Sequence, residues 1–306
     1  MYSIRTVLIG LDFSDHDKLL MQFTEMLCHD FEIKKVHFVH IEHMYDIEVD
    51  KDSPIHGLKR SMEEPVQKKL EQWVKAGFKG SENIDIEISA LEGSKVKELI
   101  RTTRKDNSDL IILGKKSDED GTGIVPEKIS RKAPCSVMIV PECKVKTFKS
   151  ILIPTDYSVY SLLAFESVKS IKEHHSDLKI TAINVAHIPW GYYSTGKSFE
   201  EVSAIMLQHA RHHFSDFVKE NNLEQLDIEA IFKVQDHHHY SKTILKEAKE
   251  RDVNLIMIGA KGLSAFSSLL LGSVTESLIK RDFSIPVMVL KKKNENIDLI
   301  DTLLSL

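Results

Sequence analysis

The residues best suited to chemistry lie in the last sixty positions of the chain. After the apolar run Leu255–Ile258 comes Gly259-Ala-Lys-Gly262, then nine residues, then Gly272-Ser273-Val274-Thr275. Glycines after a strand let the backbone turn sharply and approach a ligand closely. Gly272-Ser273 opens a helix-like pattern, where unpaired first-turn N–H groups and the positive dipole end favour an anion. Hydroxyls of Ser273 and Thr275 could add donors for phosphate oxygens. The pattern suits a phosphate-cradling loop split into two parts. The plainer alternative makes Gly259 and Gly262 turn residues and Ser273 a helix cap. Neither G-x-x-x-x-G-K-[ST] nor G-x-G-x-x-G occurs.

A second group lies upstream, in Ile153-Pro154-Thr155-Asp156, which ends an apolar run. Ligands of open α/β sheets bind at the carboxyl ends of strands, where the strand order reverses. If the strand before Gly259 lies beside the one before Asp156, these two residues flank such a crevice. A carboxylate there can accept from an amino group or a sugar hydroxyl. Its structural alternative is an N-cap of the next helix.

Histidine is the compositional oddity, at 15 residues. Asp236-His237-His238-His239 and His187 fall on the carboxyl side of neighbouring strands, and imidazole with carboxylate suits Zn²⁺. Adjacent residues point in different directions, so the expectation is no tight metal, with His187, His237 and His239 the weak candidates. The bland alternative is a polar loop before a helix, capped by Asp236 or Ser241. His209, His212 and His213 fall on one helical face, read as solvated. No G-x-S-x-G elbow, H-E-x-x-H or kinase signature is present, and no catalytic constellation emerges.

The elements that must position these residues occur twice. Thr6-Val-Leu-Ile-Gly-Leu-Asp-Phe-Ser14 matches Ser150-Ile-Leu-Ile-Pro-Thr-Asp-Tyr-Ser158 at an offset of 144. Val36–His43 then matches Ile180–His187, Ile84–Glu87 matches Leu226–Glu229, Leu110–Gly114 matches Leu255–Gly259, and Val137–Val140 matches Val287–Leu290. Five blocks in one order indicate duplication. Each block has strand length, and helix-like patterns separate them: Asp15–Cys28, Leu58–Lys75, Lys95–Lys105, Ser158–Glu173, Phe199–Lys219, Lys242–Glu250 and Glu276–Arg281. Such alternation predicts two α/β domains, each a parallel sheet covered on both faces. The expected divisions are 1–145, 146–291 and a tail, 292–306, suited to a short amphipathic helix. Val137–Val140 and Val287–Leu290 are expected edge strands, which need pairing. They are expected to join the two halves as a pseudo-dimer, or two chains as a homodimer.

With the strand-end Asp, the α/β alternation and the spacing Gly-x2-Gly-x9-Gly-Ser, the chain resembles the tandem form of the universal stress protein family over nearly all of residues 3–291. The resemblance implies a five-stranded doubly wound sheet in order 3-2-1-4-5 in each half. It also implies binding of ATP, ADP or AMP, with Mg²⁺ as an accompanying ion. Asp156 is similar to the family's nucleotide-contacting Asp, and Val185 to the position whose backbone meets adenine. Gly259, Gly262, Gly272 and Ser273, with Val274 and Thr275, correspond to the phosphate loop. Pro154, Thr155 and Ile258 line the same crevice. The first half departs from this pattern. Asp12, Ile41 and Gly114 are kept, but Ser117 stands where Gly262 does, and the loop is five residues shorter. Asp118, Glu119 and Asp120 oppose an anion there, with Lys115 and Lys116 as partial compensation. Nucleotide binding is therefore expected in the second half, and poor or no binding in the first.

Composition narrows the function further. Lys plus Arg is 41 against 46 for Asp plus Glu, a net charge of −5, which argues against nucleic acid. The three cysteines lack a C-x-x-C spacing, so neither a disulfide scaffold nor a zinc ribbon is indicated. Cys135 reads as a small buried apolar residue. No run reaches membrane-span length and no signal-peptide pattern is present, so a cytoplasmic protein is expected. The leading expectation is a stress-response or regulatory module with at most slow ATP hydrolysis. The rivals are an interaction scaffold or His-dependent metal-binding dimer, and an adenine-nucleotide hydrolase that would need an acid/base pair.

Overall fold

In the computed structural model the described residues are 3–42, 54–80, 83–116, 124–143, 147–235, 239–263, 271–281 and 283–293, with backbone alone over 54–63. The chain divides into two compact units. One is Ser3–Lys146 with the segment beginning at Lys292, and the other contains Thr147–Lys291.

The first unit runs β1 (Thr6–Leu11), α1 (His16–Asp30), β2 (Lys35–Glu42), α2 (Pro54–Gly77), β3 (Asp85–Glu92), α3 (Lys95–Lys105), β4 (Leu110–Lys115), α4 (Ile124–Lys132), β5 (Ser136–Pro141). Every pairing is parallel, in the order β3-β2-β1-β4-β5. Parallel strands covered on both faces need continuous apolar runs. Val7, Leu8 and Ile9 of β1 and Leu110–Ile112 of β4 are accordingly fully buried. Lys293 reaches this unit, its Nζ meeting Asp109 Oδ1 at 2.6 Å.

The second unit repeats the plan: β6 (Ser150–Pro154), α5 (Val159–His174), β7 (Lys179–His187), α6 (Phe199–Glu220), β8 (Ile228–Gln235), α7 (Tyr240–Glu250), β9 (Leu255–Gly259), α8 (Ser273–Lys280), β10 (Val287–Leu290). Its order is β8-β7-β6-β9-β10, again parallel. The expected 3-2-1-4-5 sheet therefore stands in both halves. Caps explain where helices begin. Ser158 caps α5 through Ser161 N–H, and Ser198 with Glu201 forms a capping box on α6. The anticipated caps of α7 differ. His239 holds the N-cap position but its side chain does not cap the helix, while Ser241 Oγ pairs with Ser277 Oγ at 2.8 Å. Asp236 lies outside the described residues, as do Ser117–Asp120 and the apolar tail residues of 294–306.

Candidate functional site

In the second half β6 lies between β7 and β9, so the chain leaves β6 toward one neighbour while β9 bounds the other side. This is the switch-point crevice of a doubly wound sheet. Thr155 is held by β7: its N–H donates to Ile183 O at 2.9 Å, and Asn184 Nδ2 donates to Thr155 O at 2.8 Å. The next residues form a tight turn. Ser158 N–H and Ser161 Oγ both donate to Asp156 Oδ1, at 3.1 and 2.8 Å. The turn forces Tyr157 to φ +67°, a left-handed conformation that costs a non-glycine residue about 1–2 kcal/mol. Its ring sinks toward Phe217, and its hydroxyl donates to Ala210 O at 2.9 Å. Burial, with the neighbouring Asp156 charge, pushes the phenol above its usual range, so it stays a donor.

Asp156 Oδ2 reaches the glycine loop, accepting from Leu263 N–H at 2.9 Å. The three glycines there serve different purposes. At Gly259 a Cβ would come within 2.8 Å of the Tyr160 backbone, so helix α5 itself requires the glycine. At Gly262 a Cβ would meet Asp156 Oδ2 at 2.3 Å, so the missing side chain is what lets loop and carboxylate close together. At Gly272 a Cβ would find only ordinary contacts at 3.4–3.5 Å, with φ −61°. The protein's own atoms do not demand glycine there.

Gly272 N–H donates to Ala260 O at 2.7 Å and opens α8, leaving Ser273 exposed at its first turn. Thr275 Oγ1 donates to Gly259 O at 2.8 Å, so this hydroxyl braces the end of β9. Ile258 and Pro154 are buried and Val185 is half-buried. Lys261, nearly buried, sends Nζ to Tyr160 Oη at 3.3 Å.

The corresponding crevice of the first half keeps the turn and changes its chemistry. Ser14 N–H donates to Asp12 Oδ1 at 3.2 Å, and Phe13 takes φ +61°. Lys116 Nζ, however, sits 2.6 Å from Asp12 Oδ2. Burial works to raise the Asp12 carboxyl, and the bonds from Lys116 and Ser14 outweigh it, holding it below the usual range. Asp17 stands where the second half has Ser161. It accepts from the N–H groups of Asp12 and Phe13 at 3.2 and 2.8 Å, and from Trp73 Nε1 at 3.1 Å. Burial pushes its carboxyl up to about 6.

Between these residues and α3 and α4 is a cavity of about 240 Å³. His16, 7% exposed, lines it, and neither ring nitrogen makes a hydrogen bond of ordinary geometry. Burial lowers its pKa, and Glu142, Asp12 and the Val140 backbone offset this only in part. Sequence reading did not single out His16. The repeat carried the signal, since His16 aligns with Tyr160; its ring lies against Gly114, where Tyr160 faces Gly259 with its backbone.

His187 ends β7 opposite Gln235, His239 is exposed, and His237 lies outside the described residues. His209, His212 and His213 are exposed on α6, the solvated face expected, and Cys135 is buried. A buried cluster that sequence reading missed joins His37 to Asp106 and, at 2.9 Å, to Ser89 Oγ. It lies near the amino end of β2, away from the crevice. No helix among the described residues is long and apolar enough to cross a membrane.

Comparison with known proteins gives the family and the fold. The model of the universal stress protein family matches twice, at residues 3–141 and 147–291. A universal stress protein of Methanocaldococcus jannaschii is 28% identical over 161 residues, covering 48% of this chain and 97% of that protein. The crystal structure of a universal stress protein from Archaeoglobus fulgidus covers 96% of this chain and 98% of its own, at 20% identity and a TM-score of 0.63, a likeness of fold. Another universal stress protein was solved in complex with cAMP; it is 17% identical, covers 45% of this chain and 98% of its own, and has a TM-score of 0.31.

Proposed function

Because the chain belongs to the universal stress protein family, matched once in each half, we propose that it is a cytoplasmic regulatory module that binds an adenine nucleotide in its second half. The observation that carries this reading is the contact between Gly262 and Asp156. A loop without side chains folds against a carboxylate at the mouth of the switch-point crevice, and any larger residue would separate them. Gly272 is consistent with it, since a Cβ there would find ordinary contacts with the protein and would instead face the space in front of α8.

The residues present fit a nucleotide. Asp156 is oriented by Ser158, Ser161 and Leu263 with no cation among these partners, so its charge remains available to a sugar hydroxyl or a base amino group. The backbone at Val185 borders the place for the base. The first-turn N–H groups of Ser273 and Val274, which lack intrahelical acceptors, suit phosphate oxygens. A bound nucleotide supplies phosphate charge, with Mg²⁺ as its counter-ion. The protein's part is to orient it and to sense its presence, and the reading assigns no residue to hydrolysis. Association through the last strands belongs to the same reading: proline at Met288 should change the mass found by light scattering.

Equilibrium dialysis with labelled ATP tests the assignment. Asp156→Ala should weaken binding at least tenfold, and equal retention by wild type and variant would overturn it. The scaffold alternative has one observation in its favour, the exposure of Trp190 (92%) and Tyr193 (66%) after β7. A protein that retained no ATP would leave that surface as the better lead.

A further inference from the structure

The crevice of the first half has its own chemistry, and it differs from that of a phosphate site. We infer that this cavity is a binding site for a small uncharged, mostly apolar molecule of about ten non-hydrogen atoms with one hydrogen-bonding edge. The site is separate from the nucleotide site proposed for the second half and does not depend on it.

Size sets the first limit. A cavity of about 150 Å³ admits benzene. The 240 Å³ here scales to a molecule of two fused rings. The walls set the second limit. Leu11, Val39, Ile41, Leu99, Leu113 and Val125 present hydrocarbon at the sheet end. The third is polarity. His16 is more than nine-tenths buried and lines the cavity; its ring interacts with the Val140 backbone, yet neither nitrogen makes a hydrogen bond of ordinary geometry. Ser14 Oγ, on the same wall, is also buried without a partner. Buried polar atoms are nearly always satisfied, because an unmet one costs the desolvation of the group. A neutral imidazole offers one donor and one acceptor, so it can meet a ligand that carries either.

Charge sets the last limit. Among the described residues the ionic groups at the cavity are Asp12, Asp17, Lys95 and Lys116, two acids and two bases, with Asp12 and Lys116 already paired to each other. A charged ligand would have to compete with that pair. An uncharged one leaves it intact and gains the apolar walls.

Indole and quinoline are suitable probes, neutral near pH 7.5 and carrying a donor edge and an acceptor edge respectively. Calorimetric titration of the full chain should show one site per chain for at least one of them at submillimolar concentration. His16→Leu should weaken that binding at least tenfold while leaving the melting temperature of the unliganded protein equal or higher. Val125→Trp, which fills the cavity from its half-exposed side, should abolish it. Gly262→Ala, aimed at the second half, should leave it unchanged, so failure here is distinguishable from failure of the nucleotide assignment. Four results would overturn the inference. They are no binding of either probe at millimolar concentration, unchanged binding in His16→Leu, displacement of the probe by one equivalent of ATP, and a large drop in melting temperature for His16→Leu. The last would mean that the ring is satisfied by the protein or by water and serves the fold.

Discussion

The two crevices share a turn and differ in what answers its carboxylate. In each half an Asp-aromatic-Ser sequence leaves the first strand, with the aromatic residue at positive φ and the serine N–H returned to the Asp. In the first half Lys116 then closes on Asp12 at 2.6 Å. In the second the lysine at the matching place, Lys261, goes to Tyr160, and Asp156 accepts a backbone N–H from the glycine loop instead. An ammonium neutralises a carboxylate, whereas an amide only orients it. The position five residues after each Asp follows the same division: Asp17 bonds the Asp12 N–H, while the Ser161 hydroxyl accepts from the Asp156 N–H. Duplicated backbones thus support unlike sites through a few side-chain exchanges.

The largest effect that would break this comparison is at Gly262. Gly262→Val should cost about a hundredfold or more in ATP affinity, roughly 3 kcal/mol, because the new side chain displaces Asp156. Circular dichroism should show the fold retained. Gly114→Ala, whose Cβ would meet only the His16 ring at 3.2 Å, should leave ATP affinity within twofold.

The next effect belongs to the first half alone. The Asp17 carboxyl lies near 6 in the folded chain against an ordinary 3.8, so the folded state holds more protons between those values. Stability from this group is full below about pH 4 and falls by roughly 1–3 kcal/mol as pH rises through 6. Asp17→Asn should flatten that slope in denaturant titrations at several pH values, and an unchanged slope would contradict the assignment. Smaller still is Thr275→Val, which removes the bond to the Gly259 carbonyl at about 1 kcal/mol. A lower melting temperature with only mildly weakened ATP binding is expected. Least of all, Lys116→Met should change stability by about 0.2–1 kcal/mol, since the pair is partly exposed. It should also let the Asp12 carboxyl rise toward its usual range, visible by NMR titration.

Much of this arrangement was legible in the sequence. Continuous apolar blocks recurring in one order gave the duplication, and crossover patterns between them gave the parallel sheets. The strand-end Asp and the glycine spacing are local and could be read directly. The purpose of each glycine was not legible. Gly259 is needed by the passing backbone of Tyr160, a contact made across more than ninety residues. Nor was the left-handed Tyr157, because propensity argues against it, and the Asp156–Ser158 turn, the bond from its N–H to Thr155 Oγ1 and the hydroxyl anchored at Ala210 hold it there. The first-half cavity was the least accessible of all. The charges of its loop pointed away from an anion, but volume arises from packing between elements and has no one-dimensional signature.

The central claim, that the duplicated crevices are unlike and only the second takes nucleotide, is tested most directly by the stoichiometry of ATP binding. Calorimetric titration of the full chain should give one ATP per chain, and Gly262→Val should reduce that number to none. Two equivalent sites, or one site that survives in Gly262→Val, would contradict it.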